Sequence, residues 1–190
     1  MSADELCGGA FRYASADLEK IMGGEKEFLS DSSDYLDTSV ELVERTREEG
    51  ATRSRGRAQS KCNVGVRARS AYVVTRYYAP ADLADRGNVR GGVHYDLGLH
   101  ATSGFDTAKI YFECVSPNLD GSVKDPARIM IDLGYRLSEG NDRLSEGKGA
   151  GTLRETYMRL AHSAALSVAR ELECEGDGGL PERLILKRIN

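Results

Sequence analysis

Two kinds of hydrophobic spacing divide this chain into elements. Apolar residues recur every third or fourth position over residues 16–22 and 34–48, which predicts two helices near the amino end. Thr38 and Glu41 have the spacing of a capping box, so the second helix could instead begin at Thr38. Thr152 and Glu155 form a second predicted capping box, and the stronger helical stripe that runs from Thr152 to about Glu173 predicts a long helix that packs on a larger element.

Between these helices the apolar residues alternate with polar ones, which is typical of half-buried strands. Four segments show this alternation and a fifth supplies a last short strand; they are residues 64–78, 93–100, 108–115, 128–137 and 183–189. The predicted fold class is α+β. We expect a mostly antiparallel sheet of four to five strands with helices packed on one face, plus extended Gly/Arg-rich arms.

A length of 190 residues fits a single domain, 1–190. Within it we distinguish an acidic helical part (1–49), a basic arm (50–63) and a sheet-plus-helix core (64–190). Residues 80–92 and 138–151 are polar or rich in glycine, and they are predicted as two further long loops.

The charge of the chain is unevenly distributed. The formal net charge is −4, but residues 1–50 carry 13 acids and 5 bases, whereas residues 51–100 carry 9 bases and 3 acids. Opposite charges in consecutive segments favour contact between them, within one subunit or between neighbouring subunits. The low isoelectric point, about 5.5, disfavours non-specific binding to nucleic acid.

The basic charge is concentrated in residues 52–69, TRSRGRAQSKCNVGVRAR, which contain no acid. Its first part is predicted as an arm, and its last two arginines as the outer face of a strand. The candidate partner contacts are Arg53, Arg55, Arg57, Lys61, Arg67, Arg69 and, from a later loop, Lys148. An acidic protein partner is the first interpretation. The alternative is a nucleic-acid-binding module that uses residues 53–69, with Tyr72, Tyr77 and Tyr78 stacking on bases.

Lys148 lies in a glycine-rich loop directly before the long predicted helix, a position that can attract phosphate. The loop does not match a nucleotide-binding P-loop, because its glycine spacing is too long and Gly149 stands where Ser or Thr is required. A small phosphate- or nucleotide-binding enzyme centred on residues 147–152 is therefore only a further alternative.

The four cysteines lack the short spacing of a zinc or redox motif. Cys114 lies on the apolar side of a predicted strand and is interpreted as a small buried side chain. Cys7, Cys62 and Cys174 are candidate disulfide partners in an oxidising compartment, but free thiols are expected in a cytosolic protein.

His94, Asp96 and His100 share one face of the predicted strand 93–100. On a straight strand the two histidines would stand roughly 20 Å apart, so they could not bind one metal ion without a sharp bend at Gly98. A solvated strand face or a subunit contact is expected, and no cofactor or metal is predicted.

No segment pairs a nucleophile with a base, which makes an enzyme the less favoured class. The leading hypothesis is a non-enzymatic structural or assembly subunit that forms a homo-oligomer with other protein subunits. In element order alone the chain resembles ring-forming viral tail and neck proteins, which implies a component of a virus particle. No apolar run is long enough to span a membrane, and no signal peptide is evident, so a cytoplasmic or particle location is expected.

Overall fold

The computed structural model describes residues 1–48, 59–67, 69–78, 89, 92–137 and 150–189. Most of the predicted basic arm lies outside these described residues, as do nearly all of the predicted loops 80–92 and 138–151. The described part of the chain forms two layers, a sheet and a set of helices on one of its faces.

The sheet contains eight strands, and every pair of neighbours in it is antiparallel. The prediction of four to five strands was therefore wrong. The strands are β1 (Leu29–Ser30), β2 (Gln59–Val66), β3 (Arg69–Tyr77), β4 (Val93–Tyr95), β5 (His100–Ser103), β6 (Thr107–Cys114), β7 (Ala127–Leu137) and β8 (Arg188–Ile189). Their order across the sheet is β1-β2-β3-β7-β6-β5-β4-β8.

Two of the predicted strands are in fact hairpins, which accounts for much of the difference. The predicted strand 64–78 is interrupted by a tight turn, since Val66 at the end of β2 pairs with Arg69 at the start of β3. Arg67 in this turn has a φ of 50°, a left-handed conformation that non-glycine residues seldom adopt. Residues 59–63, predicted as part of the arm, form the first half of β2.

The second unpredicted hairpin lies within residues 93–103. The chain turns between β4 and β5 at Gly98, whose φ is 57°. A side chain at this glycine would also collide with the backbone of Tyr111, so the turn needs glycine for both reasons. The alternation of residues 93–100 continues through the turn, and it therefore looks like one strand in the sequence.

Three helices form the second layer of the described chain: α1 (Ser15–Ile21), α2 (Tyr35–Glu48) and α3 (Ala150–Glu171). The helix α3 packs on β6 and β7, and α2 packs on β2 and β3. Because α3 already begins at Ala150, the predicted capping box is not used. Thr152 accepts a hydrogen bond from Thr156 through its carbonyl oxygen, and Glu155 instead binds Arg188.

The core lies between the helices and the face of the sheet that they cover, which we call the inner face. Alternate residues of β6 and β7 point into it, and Ile110, Phe112, Ile129, Ile131 and Leu133 are completely buried. Burial of each such side chain contributes about 1.5–3 kcal/mol. The predicted inward faces of these two strands agree with the structure.

All four cysteines are paired in two disulfides. Cys7, in a short 3₁₀ segment (Leu6–Gly9), is bonded to Cys62 on β2, and Cys114 at the end of β6 is bonded to Cys174 after α3. The expectation of free thiols was wrong for this structure. Cys114 is buried but is bonded rather than merely packed. Each disulfide closes a loop of 55 or 60 residues, which in the chain-entropy account stabilises the fold by roughly 4 kcal/mol.

Candidate binding face of the sheet

The face of the sheet opposite the helices, the outer face, carries most of the polar side chains of the strands. The strand register places every second residue of β2, β3, β7 and β6 on it. Its charged members are the bases Lys61, Arg76, Arg128, Lys109 and Arg136 and the acids Asp132 and Glu113. Five bases against two acids make this face cationic.

The most exposed cations of this face surround one tyrosine. Lys61 Nζ lies 5.3 Å and the guanidinium carbon of Arg136 lies 5.4 Å from the centre of the Tyr72 ring. Both distances are within the range of cation–π attraction. We call Lys61, Tyr72 and Arg136 the cation–tyrosine patch. Burial is the main cause that raises the pKa of Tyr72, and the nearby negative charge of Asp132 raises it further. The Tyr72 hydroxyl therefore stays neutral at physiological pH.

Gly134 fixes the ring of Tyr72 against the sheet. It stands opposite Tyr72 in the register, and a β-carbon at this glycine would overlap the tyrosine ring. The ring therefore lies directly on the backbone of β7, as aromatic residues can do beside a strand glycine. The result is a rigid support for the two cations of the patch.

A buried carboxylate, Asp132, lies beside the patch. It is 8% exposed, and its oxygens lie 3.9 Å from Lys109 Nζ, 4.0 Å from Arg76 Nη1 and 3.2 Å from Thr107 Oγ1, which donates to it. Burial raises the pKa of Asp132, and the two cations only partly counter this effect. The cluster consequently ties two of the five outer-face bases to an acid.

Arg128 is also paired. It lies 3.7 Å from Glu113 and 2.8 Å from Asp125. Lys61 and Arg136 differ from it, because neither makes an ion pair with any described residue. The cation–tyrosine patch therefore holds the two outer-face bases that make no ion pair with a described residue.

A row of rings crosses the other half of the outer face. The centroids of His94 and His100 are 5.2 Å apart, His100 lies 6.0 Å from Tyr111, and Tyr111 meets Tyr78 edge to face at 5.2 Å. The prediction of one strand over residues 93–100 was wrong: the turn at Gly98 places the two histidines on adjacent strands, so the separation of roughly 20 Å expected for a straight strand does not apply. Among the described residues, no group of three or more His, Cys, Asp or Glu side chains is arranged to hold a metal ion.

The sequence-predicted contact residues are not gathered in one place. Arg67 is highly exposed and lies 3.3 Å from Glu25. Arg69, predicted on the outer face, instead points to the helix side, where its Nη1 donates to the carbonyl oxygen of Ile21 at the end of α1. Lys61 lies on the outer face. The others, Arg53, Arg55, Arg57 and Lys148, lie outside the described residues.

Two members of the patch were missed as partner contacts by sequence reasoning. Tyr72 was predicted only as a base-stacking residue, and Arg136, near the end of the predicted strand 128–137, was not predicted as a contact residue. The alternation of residues 128–137 placed Arg136 opposite the apolar face, and this signal could have identified it. His162 on α3 is buried, and its burial lowers its pKa, so it packs in the core as a neutral side chain.

A second charged surface lies on α2, at the far side of the helical layer. Its exposed side carries a stripe of carboxylates spaced four, three and four residues apart, which we call the acidic stripe: Asp37, Glu41, Glu44 and Glu48. At 3.6 residues per turn the stripe is about 170° from the buried side of α2. That buried side is fixed to the sheet through Tyr35 and Ser39, whose hydroxyls both bond to Thr75 on β3.

The acidic stripe and the cation–tyrosine patch thus lie on opposite surfaces of the two-layer domain. None of the four carboxylates makes an ion pair with a described residue. Glu44 and Glu48 also line an open depression of about 430 Å³ at the end of α2.

No helix in the described part of the chain is long and apolar enough to cross a membrane. Comparison with protein-family models, curated proteins and solved structures found no match to this chain.

Proposed function

We propose that this protein is a structural or assembly subunit that associates with further copies of itself. One observation carries the proposal: an anionic surface and a cationic surface, both without ion-pair partners among the described residues, lie on opposite sides of one domain. Since two layers separate these surfaces, they cannot neutralise each other within one chain. They can do so between neighbouring copies.

Such a contact joins different surfaces of the two subunits, so each copy keeps one surface available for the next. A contact of this kind continues until the subunits close into a ring or form a filament. The function proposed is therefore the building of a larger assembly, and the charges set its order and direction.

The test is the mass of the purified protein in solution. We expect sedimentation velocity in about 20 mM salt to show species heavier than the 20.7 kDa monomer, with mass rising as protein concentration rises. About 0.5 M salt should lower the mass, because salt screens contacts between exposed charges. A 20.7 kDa species at every concentration in low salt would contradict the proposal.

A further inference from the structure

We infer that the contact between copies joins the cation–tyrosine patch of one subunit to the acidic stripe of the next. This inference rests on the proposed function and names the surfaces that perform it. The patch supplies two exposed cations, Lys61 and Arg136, without ion pairs to the described residues. The occupant is a second copy, because the same chain carries a surface of opposite charge and compatible spacing.

The spacing of the charges on the patch allows them to match those on the acidic stripe. Lys61 and Arg136 lie 5.3 and 5.4 Å from one ring centre, so their charges are at most about 11 Å apart. On α2, Glu41 and Glu48 are seven residues apart, which is a rise of about 10 Å along a helix. Each of these two carboxylates can therefore face one cation of the patch at the same time.

Both surfaces are held in place before they meet. Tyr72 is seated on the backbone at Gly134, and α2 is fixed to β3 by the hydroxyl bonds of Tyr35 and Ser39 to Thr75. Because the backbone under each surface is already ordered, the entropy lost on binding falls mainly on the exposed charged side chains themselves.

Charge reversal tests the contact. One variant reverses the patch (Lys61→Glu with Arg136→Glu), and the other reverses the stripe (Glu41→Lys with Glu48→Lys). Each alone should raise the dissociation constant for self-association by roughly tenfold or more, because like charges then face each other. An equimolar mixture of the two variants should associate again, since each reversed surface meets a complementary one.

The matched control for the patch is Lys124→Glu with Arg183→Glu, which makes the same change in net charge at two exposed positions elsewhere. It should associate like the wild-type protein. Circular dichroism of every variant checks that the fold is kept.

The outcomes separate this inference from the proposed function. Wild-type protein that associates while both reversed variants associate equally well would overturn the named contact and leave the assembly function standing. Failure of the mixture to recover association would also overturn it. Monomeric wild-type protein would overturn both. A monomer that binds an oligonucleotide, and loses that binding in the patch variant, would replace both with nucleic-acid binding.

A second inference is carried independently by the disulfides. The geometry of the four cysteines points to a protein that works in an oxidising compartment. No cysteine is left as a thiol, and each disulfide joins the sheet to a segment that precedes or follows the helices. Structural disulfides of this kind are rare in reducing compartments.

Because all four cysteines are buried, the experiment is acid quenching of the producing cells, thiol alkylation under denaturing conditions, and mass spectrometry of the protein. We expect no alkylated cysteine before reduction and four after reduction. Four alkylated cysteines before reduction would overturn the inference. The experiment does not depend on self-association, so its result leaves the named contact untouched.

Discussion

The two faces of the sheet come from the same strands but are held by different interactions. On β6, Phe112 points to the inner face and is completely buried, whereas its neighbour Glu113 points to the outer face and lies 3.7 Å from Arg128. The inner face depends on close packing, in which every lost methylene leaves a cavity. The outer face depends on pairs of charges, most of which contribute little individually.

This difference bears on where function can reside. Substitutions on the inner face act on the whole fold, whereas exposed outer-face positions can change charge without loss of the core. Lys61 and Arg136 are positions of this second kind. We therefore expect variants of the outer face to separate binding from stability, and variants of the inner face to affect both.

The largest predicted effect tests this contrast on neighbouring residues. Phe112→Ala should lower the free energy of unfolding by about 3–5 kcal/mol, because it leaves a cavity in the core. Glu113→Ala should lower it by no more than about 1 kcal/mol, since it removes a partly exposed ion pair. Denaturant unfolding measures both, and similar losses would show that the two faces are not held differently.

Gly134 is one outer-face position where we expect a substitution to destabilise the fold, unlike the exposed charged positions of that face. Gly134→Ala should destabilise the protein by about 1–3 kcal/mol, because the new methyl group displaces the ring of Tyr72. In a protein that already carries Tyr72→Ala, adding Gly134→Ala should cost little further stability, because the ring that the methyl group displaces is gone. A double-mutant cycle measured by denaturant unfolding decides this, and strictly additive effects would exclude the contact.

A smaller effect is expected at the turn between β2 and β3. Arg67→Gly should raise the free energy of unfolding by up to about 1 kcal/mol, because glycine adopts the left-handed conformation without strain. Arg67→Ala is the control, since it removes the exposed pair with Glu25 but keeps the strain. The melting temperatures of the two variants should therefore differ, with the glycine variant higher.

The smallest effect concerns Asp132 and is visible mainly in its pH dependence. Burial raises its pKa above the ordinary 3.8, so the folded protein holds this proton more readily than the unfolded chain. Ionisation of Asp132 thus costs stability as pH rises through the raised pKa. Asp132→Asn should have a slightly higher melting temperature than wild type at pH 7, and the difference should shrink towards pH 3. A variant less stable at pH 7 would mean that the ion pairs outweigh burial.

Sequence alone could locate the strands in which apolar and polar residues alternate without interruption, so that one side of the strand is consistently apolar. The predicted strands 108–115 and 128–137 correspond to β6 and β7, and the apolar residues that the alternation assigns to the inner face, such as Ile110, Phe112 and Ile131, are completely buried. Both lie in the middle of the sheet under α3. A long helix and two central strands each produce a strong periodic pattern, because one side of each is in contact with the core.

The hairpins could not be located in this way. The turn at Arg67 contains neither of the residues, glycine and asparagine, that normally mark a two-residue hairpin. The strand before it, QSKCNVGV, is polar on its outer side and therefore resembled an arm. The approach of His94 to His100 depends on the turn at Gly98, and each disulfide joins cysteines 55 or 60 positions apart, so neither could be read from spacing along the chain.

The disulfides also determine how the chain would respond to a pulling force applied at its two ends. The crosslinked segments do not overlap, and they enclose 55 and 60 residues, together 115 of the 190 in the chain. Tension would pass through the sulfur atoms and bypass those residues, leaving about 75 able to extend. At about 3.5 Å per residue the oxidised chain would reach roughly 260 Å, compared with about 660 Å once both bonds are reduced.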